Sequence, residues 1–575
     1  MTARLSMVTG SKDPPLMTMT LGQLCQLQAK RHPKKAAVGV AWTGARISYA
    51  DIDKYSIKLA KGLIKLGARR GSRIAIFCGD DERFIILFFA AARIGVCLVI
   101  YNKTWTAEEC ERAVRHIGAH FFISIDHEPL ALFIADEVNG KPSDTLFQHL
   151  ERQCPNMKHL VRMRDGGSRR GLGMSWEDVV TAGRLIPERT LERLQAAANA
   201  EDIANIQFTS GTTGVPKAAM LTHFGLLNNA RFMGDYLGLD CEDIICCPPP
   251  LYHVFGLVAG FLASYTHSST IVYANRDFDP AAVAEVIVKE KCTVLHGVPT
   301  MFTAIMQQLK NTGQRVNTLR TGIAAGSKVP PALLTELHEQ LGFKNIAISY
   351  GMTETSPASF MTQTTDTLEQ RLETVGRVLP HVSAKVVDSK NRTLPLGVPG
   401  ELCISGWLLQ KGYYKNPDKT AEAMIRGEDG VVWMHTGDEA TIDENGYCRI
   451  TGRIKDIIIR GGENVYPGEI EERLLDHPSI SQAAVIGAHD QKYGEAVAAV
   501  LALRPGCEKV ALGDLRQWVQ LRLGRHKAPA HVFWVGTGEH IANFPLTGSG
   551  KIRKDILREL VDQIVAHSRS AQPKL

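Results

Sequence analysis

The sequence predicts an α/β protein with a large N-terminal domain of layered sheets and helices and a small, mobile α+β C-terminal domain. Helical patterns alternate with short apolar strands through most of the chain, which is typical of layered parallel sheets. The length of 575 residues is more than one domain usually needs. Short strands and short helices near the end of the chain indicate the second, smaller unit.

The alternation is clearest in three segments of the large domain. Each joins a helical pattern to an apolar strand, at 62–81, 281–307 and 333–355. The apolar run 84–101 is interrupted by an arginine and a glycine. It therefore predicts a buried helix followed by a strand, and not a membrane span.

The stretch FTSGTTGVPK, at 208–217, is the first candidate binding element. Apolar strands are predicted on both sides of it, and a helix follows at 223–238. Glycine N–H groups can turn toward an anion, hydroxyls can donate, and a lysine adds charge. The spacing differs from that of a P-loop NTPase, so we predict a loop that suits a leaving pyrophosphate. A flexible surface turn is the alternative. The predicted phosphate-binding residues are Thr209, Ser210, Gly211, Thr212, Thr213, Gly214 and Lys217.

A second glycine–lysine element, PLTGSGK, ends at Lys551. It lies more than half the chain beyond Lys217, so the two lysines would come from different domains. We predict one site that is assembled from both domains, with a lysine from each. Taken alone, an exposed turn lysine would be the better interpretation of Lys551.

Two further elements place polar residues where strands end, which is where open α/β sheets bind ligands. After the strand NIAISY, Tyr350 can stack on a base, Thr353 can donate to a phosphate and Glu354 can hold Mg²⁺. The stretch WMHTGD places Asp438 after a turn, where its carboxylate suits ribose hydroxyls. Turn and helix-capping residues are the alternative.

The stretch GRIKDIIIRGG, at 452–462, marks the domain boundary and a candidate hinge. After it come a helix in NVYPGEIEERLLDHPSI, the strands AVIGA and AVAAVLAL, and the helix GDLRQWVQLRLG. These units make up about 120 residues, which is within the usual range for a domain. We predict a large domain at 1–454 and a small domain at 455–575.

Composition excludes several classes of protein. The net charge of +6 is small for the length, so nucleic acid is not an expected partner. Twelve cysteines are scattered without a C-x-x-C pair, which favours a reducing compartment over a disulfide framework. The N-terminus lacks the pattern of a secretory signal.

Six motifs, in this order, resemble those of the adenylate-forming superfamily, which includes acyl-CoA synthetases, beetle luciferases and the adenylation domains of peptide synthetases. They are FTSGTTGVPK, PPLYHVFG, YGMTETSP, WMHTGD, GRIKDIIIRGGENVYPGEIEE and PLTGSGKIRK, and they run along nearly the whole chain. RGGENVYPGEIEE and GIAAGSKVP are most similar to medium-chain acyl-CoA synthetases. The opening of the chain is similar to fungal ligases that activate acids for secondary metabolites.

The resemblance implies an ATP-dependent carboxylic acid–CoA ligase. The acid attacks the α-phosphate of ATP, giving acyl-AMP and pyrophosphate. The thiol of CoA then attacks the acyl carbonyl and releases AMP. ATP, CoA and a small carboxylic acid are the implied substrates, and Mg²⁺ is the implied cofactor. The branch resemblance suggests a medium-sized aliphatic or hydroxylated acid.

The resemblance also implies roles for the motif residues. Lys551 would stabilise charge between the carboxylate and the α-phosphate, and Lys455 would be the hinge. The implied catalytic residues are Lys551, His253, Thr353 and Glu354, with Glu354 also the metal ligand. The implied cofactor-binding residues outside the phosphate loop are Tyr350, Gly351, Asp438, Arg453, Lys455, Gly461 and Gly462. The implied acyl-pocket residues are His253, Ile323, Ala324, Ala325 and Gly326.

Other functions share parts of this pattern. An adenylating enzyme that loads a separate carrier protein would use the same first step; a built-in carrier is not expected, because 24 residues follow Lys551. A luciferase-type oxygenase would emit light with O₂, and a kinase would produce ADP. A non-catalytic adenylate-binding protein would be expected to lack Lys551 or Glu354.

The chain ends in Pro573-Lys574-Leu575, which is similar to the peroxisomal address S-K-L. A proline stands where the address usually has a serine. We expect a peroxisomal protein that binds the import receptor, with the cytoplasm as the other location. A disordered tail with a chance match is the alternative.

Overall fold

Residues up to Arg453 form three large sheets in the computed structural model, and residues from Ile458 onward form a fourth. A short ribbon, Glu137–Val138 with Lys141–Pro142, completes the strands. This mixed α/β architecture, with a large first domain and a smaller second one, confirms the predicted fold class. The structure describes residues 4–118, 131–135, 137–138, 141–155, 157–163, 173–209, 217–327, 329–548 and 550–570.

The first sheet of the large domain has seven strands. Its strands are parallel except for the last pair, which is antiparallel with Thr209 opposite Lys217. The predicted strand–loop–strand arrangement around the phosphate loop is therefore confirmed. In spatial order the strands are Met174–Ser175, His159–Arg162, Ala131–Ile134, Arg73–Phe77, Cys97–Ile100, Ile203–Thr209 and Lys217–Thr222.

The second sheet has nine strands, with parallel strands in the middle and antiparallel strands at both edges. In spatial order they are Arg377–Val378, Ala358–Met361, Asn345–Gly351, Thr321–Ala325, Val294–Leu295, Ile244–Cys246, Thr270–Tyr273, Ala36–Val40 and Ala45–Ser48.

The third sheet of the large domain is antiparallel and has six strands. They are Met7–Thr9, Val382–Val387, Gly400–Gly406, Val432–Ile442 and Met424–Arg426 in spatial order, with Cys448–Arg453 also paired to Val432–Ile442. The small domain holds the five-stranded sheet Glu463–Val465, Ile458–Arg460, Gly494–Leu503 and Ile480–Asp490, with His531–Trp534 paired to Gly494–Leu503.

Helices cover the sheets. Those of the large domain are Leu21–Arg31, Tyr49–Lys65, Glu82–Arg93, Ala107–Gly118, Asp144–Gln153, Trp176–Ala182, Glu188–Ala197, His223–Leu237, Ala263–Thr266, Pro280–Lys289, Pro299–Thr312, Pro331–Leu341, Leu368–Glu373 and Pro417–Ala423. Those of the small domain are Pro467–Leu475, Leu512–Gln520 and Lys554–Ser570. Short 3₁₀ turns span Gly183–Leu185, Thr353–Thr355, Ile454–Asp456 and Arg525–Lys527, and a π-helix spans Phe255–Leu262.

The largest apolar core lies between the seven- and nine-stranded sheets. The helices Glu82–Arg93 and His223–Leu237 and the π-helix fill this layer, and most of their side chains are buried. A second core lies on the other face of the nine-stranded sheet, under Pro280–Lys289, Pro299–Thr312 and Pro331–Leu341. The sheets are therefore layered between helices. The ends of the strands, where the polar residues lie, open to one side.

The helix–strand predictions are confirmed in each of the three segments. The run 84–101 forms the helix Glu82–Arg93 and the strand Cys97–Ile100 within the core. No helix in the described part of the chain is long and apolar enough to cross a bilayer. All twelve cysteines are free thiols. The exact domain boundary between residues 454 and 455 stays a prediction.

Candidate functional site

A chain of three polar side chains connects the phosphate-loop strand to the end of the strand Asn345–Gly351. Lys217 Nζ donates to the Tyr413 hydroxyl at 3.2 Å, and that hydroxyl donates to Glu354 Oε1 at 2.7 Å. Glu354 is 4% exposed and lies in the 3₁₀ turn that follows the strand. Burial raises the pKa of Tyr413, and the Glu354 carboxylate raises it further. Tyr413 therefore stays a neutral donor and holds the carboxylate in one orientation.

Tyr350 and Asp438 form a second pair close to the first. The Tyr350 hydroxyl donates to Asp438 Oδ2 at 2.7 Å. Asp438 is 8% exposed, and its Oδ1 lies 3.2 Å from Arg453 Nε, on the neighbouring strand directly opposite. Three predicted nucleotide-binding residues from separate motifs are thus in direct contact.

The turn predicted before Asp438 is wrong, because the strand Val432–Ile442 continues through it. Gly437 adopts φ +71°, a conformation that glycine reaches without strain, and so bends the strand locally. Glu401 fixes this bend: its carboxylate accepts from the Gly437 N–H at 3.0 Å and pairs with His435 Nδ1 at 2.8 Å. The carboxylate of Asp438 is therefore presented by a bend that neighbouring side chains hold.

Lys551 of the small domain reaches this site of the large domain. A Cβ built on Gly326, which has φ +91°, would lie 3.4 Å from Lys551 Cε. Burial and the charge of Arg453 lower the pKa of Lys551 to about 8, whereas Asp438 and Glu354 act in the opposite direction. Lys551 and Lys217 therefore both interact with Glu354, Lys551 through its charge and Lys217 through the Tyr413 hydroxyl.

His253 lies beside Lys551 in the stretch PLYHVFG. Its Nδ1 accepts from the Phe255 N–H at 3.1 Å, so the neutral ring carries its proton on Nε2. Burial and the Lys551 charge lower the pKa of His253 to about 3. The imidazole is therefore neutral at physiological pH and offers one N–H donor.

Four of the five residues predicted for the acyl pocket lie at the end of the strand Thr321–Ala325, with Gly326 directly after it. Ile323 and Ala325 pack toward the large core between the sheets, and Gly326 faces Lys551. Ala324 packs toward the helices on the opposite face, because side chains alternate along a strand. Ala324 thus lies on the opposite face of the strand from Ile323 and Ala325, and the acyl-pocket assignment stays a prediction.

The hinge and CoA residues lie at the start of the small domain. Lys455 is in the 3₁₀ turn Ile454–Asp456, and burial and Arg453 lower the pKa of its ammonium. Gly461 and Gly462 form the tight turn between two short strands, with φ +62° and +87°. In the residues that the structure describes, no hydrogen bond or ion pair joins this turn to Asp438 or Lys551.

The remaining predicted residues lie at the edges of the site or outside the described residues. Thr353 is in the 3₁₀ turn with Glu354, and Gly351 ends the strand, where any Cβ would meet the Pro357 carbonyl oxygen. Thr209 is half-buried at the start of the phosphate loop, and its hydroxyl donates to the Lys217 carbonyl at 3.4 Å. The phosphate-loop residues Ser210, Gly211, Thr212, Thr213 and Gly214 lie outside the described residues.

Two functional candidates do not follow from any motif of the sequence. Tyr413 bridges Lys217 and Glu354, and Tyr252 donates to the carbonyl of Gly548, in the loop that carries Lys551. Tyr413 stands in no motif that the sequence analysis used. Tyr252 directly precedes His253, but the sequence could not show that its hydroxyl faces the other domain.

The chain is similar to known proteins along nearly its whole length. Residues 25–414 match the family model of the AMP-binding enzyme, and residues 469–551 match that of the AMP-binding enzyme C-terminal domain. The acyl-CoA ligase SID4 of Ajellomyces capsulatus is 45% identical over 98% of this chain and 94% of its own length. The mitochondrial medium-chain acyl-CoA ligase ACSF2 of Bos taurus is 35% identical over 97% of this chain and 90% of its own length.

A solved structure supports the same grouping. ATP-bound MatB from Rhodopseudomonas palustris matches with a TM-score of 0.78 and 27% identity, over 95% of this chain and 100% of that chain. The family model of the larger domain alone spans more than half of the chain. The chain therefore belongs to the family of AMP-binding enzymes.

Proposed function

We propose that this protein is an ATP-dependent carboxylic acid–CoA ligase that forms acyl-AMP and pyrophosphate and then acyl-CoA and AMP. One observation carries the proposal: a lysine of the small domain lies in the same site as two carboxylates and a neutral histidine of the large domain. Relatives named acyl-CoA ligases match almost the whole chain. This agreement favours the reaction over a kinase or a carrier-loading enzyme.

The contacts suggest how the large domain would bind ATP. The Tyr350 ring, held by its hydroxyl, would stack on the adenine, and Asp438 would accept from the ribose hydroxyls with Arg453 beside it. Lys217 would neutralise the outer phosphates, since it begins the strand that follows the phosphate loop. Thr353 would contact the α-phosphate from its place beside Glu354.

Glu354 suits a magnesium ion bound together with ATP. Mg²⁺ usually takes one or two protein carboxylates and fills the rest of its shell with phosphate oxygens and water. Glu354 supplies a buried, oriented carboxylate next to the phosphate-loop lysine. When bound, the ion would neutralise phosphate charge, and Tyr413 would keep the carboxylate directed toward it.

Lys551 and His253 would act on the acid. The His253 Nε2–H would orient the carboxylate, and Lys551 would donate to the charge that develops between carboxylate and α-phosphate during attack. For the second step, the small domain would rotate about Lys455 and bring the turn of Gly461 and Gly462 to the site. A glycine turn lets a pantetheine arm pass close to the backbone.

The acid is proposed to be medium-sized and aliphatic or hydroxylated, and to serve secondary metabolism. The name of the ACSF2 relative and the branch resemblance support this choice. We expect pyrophosphate release with medium-sized aliphatic or hydroxy acids when ATP and Mg²⁺ are present. The assay tests a panel of acids and analyses the nucleotide product for AMP. Reactions without acid and reactions with EDTA are the controls. Release with long-chain acids only, or formation of ADP, would contradict the proposal.

We also propose a peroxisomal location, with the import receptor as partner. The proposal rests on Lys574 and Leu575 at the end of the chain, which lie outside the described residues. A fluorescent protein that ends in residues 566–575 should form puncta with a peroxisomal marker. The same fusion without Leu575 is the control and should be diffuse. A diffuse signal from both fusions would count against the proposal.

A further inference from the structure

The loop that carries Lys551 is seated on the large domain by a small set of contacts. The Tyr252 hydroxyl donates to the Gly548 carbonyl at 2.9 Å, and the Thr300 hydroxyl lies 3.5 Å from the Gly550 carbonyl. Gly548 also packs closely on Asn102, since a Cβ there would lie 3.0 Å from both terminal atoms of that side chain. The seat therefore combines three separate segments of the large domain.

The donor side of this contact is held in place. The N–H of Leu251, next to Tyr252, donates to Asp80 Oδ1 at 2.7 Å. Leu251 is fully buried, and Asp80 is 5% exposed. Burial raises the pKa of Tyr252, so its phenol keeps the proton that it donates. The hydroxyl is therefore a preorganised donor on a rigid support.

The acceptor side transmits the contact to Lys551. Thr547 N–H donates to the Lys551 carbonyl at 2.7 Å, Lys551 N–H donates to the Thr547 hydroxyl at 3.1 Å, and Gly550 N–H donates to the Thr547 carbonyl at 2.9 Å. These bonds close the loop on itself. A hydrogen bond at Gly548 consequently positions the whole turn, including the lysine.

We propose that Tyr252 is a positioning residue for acyl-AMP formation, which holds Lys551 in the site only while the small domain is docked in this orientation. The inference rests on the proposed two-step ligase activity. When the small domain rotates for the second step, the Gly548 carbonyl leaves the hydroxyl. Tyr252 therefore contributes to one half-reaction and not to the other.

The test separates the two half-reactions. In Tyr252→Phe, we expect the rate of acyl-AMP formation, measured by pyrophosphate exchange, to fall roughly three- to tenfold. This is the usual effect of losing one hydrogen bond. Conversion of supplied acyl-AMP and CoA to thioester should be unchanged. Tyr447→Phe is the matched control: its hydroxyl donates to Asp366 at 2.8 Å wholly within the large domain, and both rates should match the wild type.

A second pair of variants, in the small domain, tests the same contact between the Lys551 loop and the large domain. Gly548→Ala should lower acyl-AMP formation alone, because the added methyl meets the Asn102 side chain. Gly513→Ala is its control, since a Cβ there meets nothing within 4 Å. In a Lys551→Ala background, Tyr252→Phe should cause no further loss, because the two residues act as one unit.

Two results would overturn the inference: equal loss of both half-reactions in Tyr252→Phe, or an unchanged rate of acyl-AMP formation. The wild-type protein measured in the same assays tests the ligase activity itself. If the wild type forms both products while Tyr252→Phe resembles Tyr447→Phe, the positioning role fails and the proposed function stands.

Discussion

Replacement of Lys551 by alanine is expected to slow acyl-AMP formation by roughly 10²–10³-fold, the usual effect of removing one preorganised donor to transition-state charge. The ammonium lies among Asp438, Glu354 and His253. Arg453, the nearby cation, is already paired with Asp438 and so is not expected to replace the ammonium. Conversion of supplied acyl-AMP and CoA to thioester should continue, because that step forms no bond to phosphorus. Pyrophosphate exchange measures the first step, and thioester formation from presynthesised acyl-AMP measures the second.

The charge of Lys551 also predicts that the rate of acyl-AMP formation depends on pH. This dependence is a second test of the role assigned to Lys551. Its pKa is lowered to about 8, so the ammonium loses its proton as the pH rises through that value. In the wild type, kcat/KM for ATP in the first step should fall above about pH 8, since this parameter reports the free enzyme. Lys551→Arg keeps its charge and should show no such fall, although its absolute rate is lower. An identical alkaline fall in both proteins would contradict the assignment.

Replacement of Lys455 by proline is expected to have the opposite effect on the two half-reactions. Lys455 lies in a 3₁₀ turn, whose φ of about −50 to −70° is compatible with proline. The present orientation, with Lys551 in the site, should persist, and acyl-AMP formation should change little. Proline fixes φ at about −65°, so an orientation that needs another φ at this residue costs about 1–3 kcal/mol, and thioester formation should fall roughly 5- to 150-fold.

Lys455→Ala is the matched variant for this experiment. It removes the same side chain but leaves the backbone free to rotate, so thioester formation should largely survive. If the proline and alanine variants lose thioester formation equally, the lost ammonium and not the hinge is responsible. If the Lys551 and Lys455 variants each lose both half-reactions while folded, rotation of the small domain is the wrong explanation.

The fold could be predicted from the sequence where local pattern decides structure. The helix His223–Leu237 and the strands Ile203–Thr209 and Lys217–Thr222 follow from the spacing of apolar residues. The position of Glu354 follows as well, since polar residues after a strand of an open sheet lie at its ligand-binding edge. The sequence could not show the strand order of the sheets, because pairing depends on contacts between distant segments.

The rest of the site depends on such distant contacts. Tyr413 reaches Glu354 across 59 positions of the chain, and Tyr252 reaches Gly548 across 296. Neither contact produces a recognisable pattern in the sequence around the residues that make it. The turn expected before Asp438 was wrong because Glu401, on another strand, holds the backbone bend inside a continuous strand. The sequence could name the reacting groups but not the residues that hold them.

The ion pair between Arg453 and Asp438 lies almost at the pivot of the proposed rotation. The strand that carries Arg453 is paired with the strand of Asp438 and leads directly into the turn of Lys455. In any rigid rotation, displacement is smallest near the axis and grows with the length of the lever arm. In the proposed rotation, Arg453 and Asp438 would therefore move little and could keep their contact with the nucleotide end of the intermediate, while the loop of Lys551 would leave the site. The proposed rotation would thus change which residues face the acyl group of a bound acyl-AMP while the ribose stays bound at the hinge.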